Sequence, residues 1–166
     1  MSLYVGVPLI IVAALSEAAV LPLFRISGLQ PNLVLTLLVA WLMVRGSGEA
    51  FVLIAIGGGV LGLVDGAPLG TALLALAPLL LLEDLRGARL VEGEPILTVV
   101  FMLAATGAYH LVYLLVFTAQ GQAGSWAAAA TEVILPTAFL NVVLVLPIYG
   151  LLWAASGGRR RRAAYA

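Results

Sequence analysis

The sequence contains no cysteine and no lysine, and it is poor in charged residues of either sign. Without cysteine the chain has no disulfide framework, no thiolate metal site and no thiol nucleophile. Charged residues make up 10% of the 166, hydrophobic residues make up 63%, and the mean hydropathy is +1.17. A soluble domain carries about a quarter charged residues, so this chain lacks the side chains to cover a surface in water. The composition therefore predicts an integral membrane protein.

Motifs for catalysis and nucleotide binding are also missing. The sequence has neither a phosphate-binding loop of the GxxxxGK type nor an HExxH zinc motif. Asp65 is the only aspartate in the apolar segments, since Asp84 lies in a charged connection, so a pair of aspartates within the bilayer is excluded. Ser16 and Ser125 have no base at a useful spacing. We therefore expect no catalytic residue, no cofactor and no bound metal.

Long apolar segments occupy most of the chain, as is typical of membrane-spanning helices. There are six of them: Leu3–Leu23, Pro31–Val44, Ala50–Val64, Pro68–Leu82, Ile96–Thr118 and Thr131–Ala155. Helices two to four have only about 15 residues, or about 22 Å of rise against a hydrocarbon core of about 30 Å. Either they extend into flanking residues or their neighbours shield them, and a re-entrant hairpin over residues 50–82 is an alternative. We predict an all-α domain of six transmembrane helices over residues 1–158, followed by a basic tail over residues 159–166.

The arginines lie almost entirely on one side of this predicted topology. Short cytoplasmic loops are enriched in arginine. With six crossings and a cytoplasmic C-terminus, the inner side receives Arg45, Arg86, Arg89 and the run Arg159–Arg162, while the outer side receives only Arg25. Both termini are therefore predicted to be cytoplasmic. The arginine run is expected to contact anionic lipid and no nucleic acid, because no aromatic residue is interleaved with it.

Few polar side chains lie within the apolar segments, and residues of this kind are functional candidates. Glu17 lies in the outer half of helix one, and His110 lies in helix five, one turn after Thr106. His110 either pairs with Glu17 or faces a helix interface, and packing is favoured. Asn141, near the middle of helix six, is expected to form an interhelical hydrogen bond. Glu132 is interpreted as opening helix six, where the helix dipole favours a carboxylate.

Residues 57–70, GGGVLGLVDGAPLG, interrupt the apolar pattern with glycines, a proline and a charge. Gly58 and Gly62 form a GxxxG pair, which permits close approach of another helix. Gly66 can adopt the positive φ that ends a helix, and Pro68 suits the first turn of the next one. Asp65 would then lie at the outer end of helix three, held by the N–H groups at the start of helix four. The four glycines Gly58, Gly62, Gly66 and Gly70 are expected to serve helix packing or partner contact.

Three segments of the chain resemble motifs of the MreD family of rod shape-determining membrane proteins. Gly62–Gly70, GLVDGAPLG, is similar to the family's hairpin, in which Asp65, Pro68 and Leu69 match the motif. Gln30–Leu35, QPNLVL, resembles the run that opens the family's second helix, with Pro31 matched and Asn32 at a position usually occupied by aspartate. Leu135–Asn141, LPTAFLN, with Pro136 and Asn141, is similar to the family's last helix.

The resemblance implies a non-catalytic membrane subunit of the bacterial cell-elongation complex, located in the bacterial cytoplasmic membrane. This complex supports peptidoglycan synthesis during growth of the lateral wall. Its expected partners are MreC, which carries a large extracytoplasmic domain, the filament protein MreB, and the glycosyltransferase RodA with its penicillin-binding transpeptidase. The implied fold is that of the substrate-binding subunits of energy-coupling-factor vitamin transporters. Such a transporter subunit is therefore the alternative, and it would need a polar pocket that opens outward.

Overall fold

The computed structural model describes residues 3–24, 29–81, 94–122 and 124–156, and these residues form an all-helical bundle. The helices are α1 (Leu3–Ala19), α2 (Leu33–Arg45), α3 (Ser47–Val64), α4 (Thr71–Leu76, with further helical residues to Leu81), α5 (Glu94–Ala119) and α6 (Trp126–Ala155). A short 3-10 turn, Leu21–Phe24, follows α1. The charged connection with Arg86 and Arg89, together with Arg25 and the arginine tail, lies outside the described residues.

Among the residues that the structure describes, three helices are long and apolar enough to cross a membrane. They are the segments Leu3–Leu23, Pro95–Ala119 and Trp126–Ala155, of 21, 25 and 30 residues. Large apolar side chains point outward from the bundle, and Leu23, Leu63, Leu69, Leu81 and Leu151 are each more than 70% exposed. Monomeric soluble proteins seldom expose so much apolar surface, whereas lipid favours it. The outer surface and the composition therefore agree on a membrane environment.

Helix α2 is the centre of the bundle. It contacts α1, α3, α5 and α6, and every residue from Val34 to Met43 is buried. The other helices are arranged around it, with α1 on α3, α3 on α4, α4 on α5, and α5 on α6. The 13 residues of α2 rise only about 20 Å, less than the hydrocarbon thickness of about 30 Å. Because its neighbours cover it on all sides, α2 needs neither a polar face nor the full length of a lipid-exposed span.

Close packing around α2 depends on glycines in α1 and α3. A Cβ atom added at Gly6 would lie 2.9 Å from the Trp41 ring, and one at Gly57 would lie 2.8 Å from Ile10 Cγ1. Both separations are shorter than a van der Waals contact, so a side chain at either position would force the helices apart. These two glycines bring α1 against α2 and α3.

The predicted start of the last helix, and with it the role of Glu132, is wrong. The last helix begins at Trp126 rather than Thr131, because Ser125 caps it and its Oγ accepts a hydrogen bond from the Ala128 N–H at 3.4 Å. Glu132 consequently lies inside the helix, in a π-helical turn over Ala129–Ile134, and does not open it. That turn directly precedes Pro136, which has no N–H to donate and whose ring crowds the preceding turn.

Candidate functional site

Polar side chains converge at the end of the bundle where α1 and α3 end, α2 begins and α6 enters. They surround a cavity of about 530 Å³ whose wall includes Glu17, Asn32, Asp65, Tyr109 and His110. By the predicted topology this is the outer end. The arginine-bearing α2–α3 turn, where Arg45 pairs with Glu49 at 3.3 Å, lies at the opposite end of α2. We call this space the outer cavity.

Glu17 is held by the start of helix α2. Its side chain is 6% exposed, and its Oε2 accepts a hydrogen bond from the Val34 N–H at 2.9 Å. The first N–H groups of a helix have no partner within the helix, and the dipole there favours negative charge. Asn32 satisfies a second of these groups, since its Oδ1 accepts from the Leu35 N–H at 2.7 Å. One side chain from α1 and one local cap therefore fix the start of α2.

Asn141 joins α6 to both α2 and α5. Its Oδ1 accepts from the Asn32 N–H at 2.8 Å, and its Nδ2 donates to Thr106 Oγ1 at 3.1 Å. Asn141 and Thr106 are fully buried. The prediction that Asn141 donates an interhelical hydrogen bond is confirmed by its bond to Thr106, which is 35 positions away in α5. Pro31, which precedes Asn32, forms part of the cavity wall.

Asp65 ends helix α3 and reaches across the cavity mouth to α5. Its Oδ1 accepts from the Ala67 N–H at 3.0 Å, and its Oδ2 accepts from the Tyr113 hydroxyl at 2.6 Å. Tyr113 in turn receives a hydrogen bond from the Tyr109 hydroxyl at 3.2 Å. We expected N–H groups at the start of α4 to hold Asp65. This expectation is wrong, because neither of the two donors belongs to α4. Helix α4 begins only at Thr71, after Gly70, so the N–H at Asp65 belongs to the connecting turn.

The glycines of the α3–α4 hairpin have different roles. A Cβ at Gly58 would lie 3.0 Å from Leu73 Cα in α4, whereas one at Gly62 would lie 3.7 Å from its nearest neighbour, Ala72 Cβ. Gly58 therefore sets the separation of the two helices, and Gly62 makes an ordinary contact. Gly66 has φ = 73°, as predicted, and Gly70 has φ = 89° at the N-cap of α4. Both conformations strain residues with a side chain.

Two further motif residues of the hairpin lie at its surface. Pro68 is half-buried, and its carbonyl accepts from the Thr71 N–H at 3.0 Å, so it belongs to the turn before α4 rather than to the first turn of α4. Leu69 is 82% exposed and projects from the hairpin. Packing among the described residues therefore gives no reason for a leucine at position 69.

His110 lines the cavity beside these groups. Its Nδ1 lies 2.9 Å from the Thr106 carbonyl oxygen of the preceding turn. Because a carbonyl only accepts, Nδ1 carries the proton in this bond. His110 Nδ1 therefore bonds to its own helix and does not form the pair with Glu17 that the sequence left open. Glu17 and His110 are nevertheless brought to the same cavity.

The aromatic residues of α5 were not predicted as site residues. Tyr109, Tyr113 and Phe117 line the cavity from one face of α5. Their ring centroids are 4.9 Å apart for the first pair and 6.1 Å for the second. Spacing by four residues places side chains on one helix face, and that spacing was the available signal in the sequence. In an apolar segment it is equally compatible with rings that face lipid.

Hydrogen bonds between structural elements occupy much of the polar lining of the cavity. Within the described part of the chain, no group of three metal-ligating side chains lies together. Glu17 Oε2, Asn32 Oδ1 and both polar atoms of the Asn141 side chain form hydrogen bonds that hold helices in place. Comparison of the chain with models of known protein families, with curated proteins and with solved structures found no significant match.

Proposed function

We propose that this protein is a six-span, non-catalytic membrane subunit of a bacterial cell-elongation complex and that it binds an MreC-like partner. In this proposal both termini are cytoplasmic and the outer cavity faces the extracytoplasmic side. The three shorter apolar helices, Leu33–Arg45, Gly48–Val64 and Thr71–Leu81, supply the additional crossings. The burial of α2 supports this count, because a helix enclosed by protein can cross a membrane without matching the bilayer thickness.

One observation carries the proposal: the three segments that resemble the MreD family meet at one place. Asn32, from the second-helix motif, donates its N–H to Asn141, from the last-helix motif, at 2.8 Å. Asp65, from the hairpin motif, lines the same cavity as Asn32. If the three resemblances were accidental, there would be no expectation that their motif residues lie together in the fold. Their convergence supports a common structural unit behind the three resemblances.

The exposed part of the hairpin is the proposed contact for the partner. Leu63 and Leu69 are 75% and 82% exposed, on either side of the Asp65 turn. A leucine that matches a motif but is mostly uncovered by the described residues is better explained by a neighbouring protein or by lipid. A transmembrane segment with a matching apolar face fits this surface.

Purification of the tagged protein from native membranes tests this proposal. We expect an MreC-like protein to be recovered with it, together with components of the wall-synthesis machinery. Leu69→Ala should reduce this recovery, whereas Leu151→Ala should leave it unchanged. Leu151 is a suitable control because it is 71% exposed on α6, away from the hairpin. Equal recovery with wild type and Leu69→Ala would remove the hairpin as the contact.

The outer cavity supports a second candidate, a substrate-binding subunit of an energy-coupling-factor-type transporter. That function needs a polar pocket that opens outward, and about 530 Å³ lies within the range of about 300–1,000 Å³ for small-molecule sites. The two functions make different predictions for the purified protein. Recovery of a stoichiometric small molecule without an MreC-like protein would favour the transporter subunit.

A further inference from the structure

The outer cavity has an unbalanced set of charges. Two carboxylates, those of Glu17 and Asp65, are part of its wall, and the described lining residues include neither arginine nor lysine. Glu17 lies deep, at 6% exposure, and Asp65 lies at the mouth, where its side chain is exposed. Acidic groups at two depths, with no fixed cationic side chain among the described lining residues, make the interior attractive to a positive charge.

The free N–H groups at the start of α2, which could attract an anion, are already bonded to side chains of this chain. A helix start with free N–H groups is a common anion site. At α2, however, the Val34 N–H donates to Glu17 and the Leu35 N–H donates to Asn32. An anionic ligand would have to displace the buried Glu17 carboxylate from these N–H groups. The two negative charges would then lie next to each other and repel. The start of α2 therefore anchors the acidic wall and does not offer an anion site.

An aromatic wall completes the cavity. Tyr109, Tyr113 and Phe117 follow one another along α5 with their rings tilted to each other, and the Tyr113 hydroxyl donates a hydrogen bond to Asp65. Aromatic faces attract ammonium groups, most strongly where water is excluded. The same rings also bury the apolar body of a ligand. A carboxylate next to an aromatic face is a combination suited to an organic ammonium ion.

We propose that the outer cavity is a binding site for an organic cation with a protonated amine and an apolar or aromatic body. The ammonium group lies between Glu17 and Asp65, and the body of the ligand lies along the rings of α5. This inference does not rest on the proposed partner function, since a subunit of either kind can carry a ligand site. It differs from a metal site, because the ligand is recognised by charge and ring contact rather than by a set of coordinating atoms.

Three probes of similar size and different charge test the proposal. 2-Phenylethylamine is a cation at pH 7, 2-phenylethanol is neutral, and phenylacetate is an anion. Each is titrated by calorimetry into the full chain in lipid nanodiscs, and the heat of empty nanodiscs is subtracted. We expect saturable binding of the amine, at least about tenfold tighter than the alcohol, because a hydrogen bond between an ammonium group and a carboxylate is stronger than one from a neutral hydroxyl. Phenylacetate should bind most weakly.

Variants of the wall test where the amine binds. Asp65→Asn removes a charge from an exposed residue, so it should fold normally and weaken amine binding about two- to fivefold. Glu17→Gln should weaken it by about tenfold or more, since Glu17 is buried. Glu132→Gln is the matched control, because Glu132 is exposed on α6 and is not a lining residue. It removes the same charge and should leave the affinity unchanged.

Several outcomes would overturn the proposal. Equal affinity for the amine and the alcohol would mean that the cavity recognises only an apolar body. Tighter binding of phenylacetate would mean that it is an anion site, and no saturable binding of any probe would mean that it is not a site for this class. A loss of affinity in Glu132→Gln as large as in Asp65→Asn would assign the effect to surface charge. None of these results depends on whether an MreC-like protein is recovered.

Discussion

Alanine substitution at Gly58 would test whether α3 and α4 are in direct backbone contact. A Cβ at this position would lie 3.0 Å from Leu73 Cα, 3.2 Å from Leu73 Cδ1 and 3.3 Å from Leu76 Cδ1. The first of these atoms belongs to the backbone, so a rotamer change cannot relieve the contact. Helix α4 would have to move by several tenths of an ångström, and overpacking of this kind costs about 1–3 kcal/mol.

The adjacent glycine supplies a matched control. Gly59 lies in the same helix, and a Cβ there would have nothing within 4 Å. Alanine at either position improves helix propensity by about 1 kcal/mol relative to glycine. Because that gain is common to both variants, the difference between them isolates the contact with α4. We expect Gly58→Ala to be less stable than Gly59→Ala by about 1–3 kcal/mol.

Gly62 provides a second comparison. Its Cβ would lie 3.7 Å from Ala72 Cβ and 3.9 Å from the Gly70 nitrogen, which are ordinary van der Waals distances. Gly62→Ala should therefore resemble Gly59→Ala. The free energy of unfolding can be measured by titration with sodium dodecyl sulfate in mixed micelles, followed by far-ultraviolet circular dichroism. If Gly58→Ala and Gly59→Ala unfold at the same detergent fraction, α3 and α4 are not in the close contact described above.

Three further predictions concern the polar network and the topology. Asn141→Leu leaves a buried N–H at the start of α2 without its acceptor, so it should lower the free energy of unfolding by about 1–3 kcal/mol. The control Thr118→Val removes only an exposed hydroxyl bonded within its own helix and should have little effect. Glu17→Gln keeps an oxygen for the start of α2, while Glu17→Ala should lose about 1–2 kcal/mol on unfolding; equal losses would contradict capping by Glu17. In intact cells, an impermeant thiol reagent should label a single cysteine placed at Gln122 but not one placed at Arg89. Labelling at Arg89 alone would reverse the orientation.

The membrane character and helical architecture were predictable because they follow from composition and segment length. A chain with so few charges cannot be covered by water, and apolar segments in lipid must satisfy their backbone groups internally, which favours helices. Local rules also predicted Gly66, since a chain that ends one helix and turns at once needs a residue that tolerates positive φ. The bonding of Asn141 followed from the cost of an unpaired amide in an apolar helix.

Helix starts were less predictable because hydrophobicity does not mark them. The alanine-rich segment before Thr131 contains few strongly apolar side chains, yet the Ser125 cap begins the helix at Trp126. Pro68 has the features of a first-turn proline, yet the positive φ of Gly70 delays α4 to Thr71. In both cases a backbone conformation or a capping bond decides where the helix begins. Several neighbouring residues in the sequence could each have begun it.

The sequence by itself determined that this chain is a bundle of apolar helices with a few polar side chains, because that result depends only on what each segment contains. Only the tertiary structure decided which of those side chains share a cavity. Gly58 and Gly62 are equivalent in the GxxxG pattern, but their distances to α4 differ because the helices cross at one point. Tyr113 reaches Asp65 across 48 residues, and Glu17 reaches the start of α2. Such contacts depend on how helices are placed around α2, and no periodicity within a single helix encodes that placement.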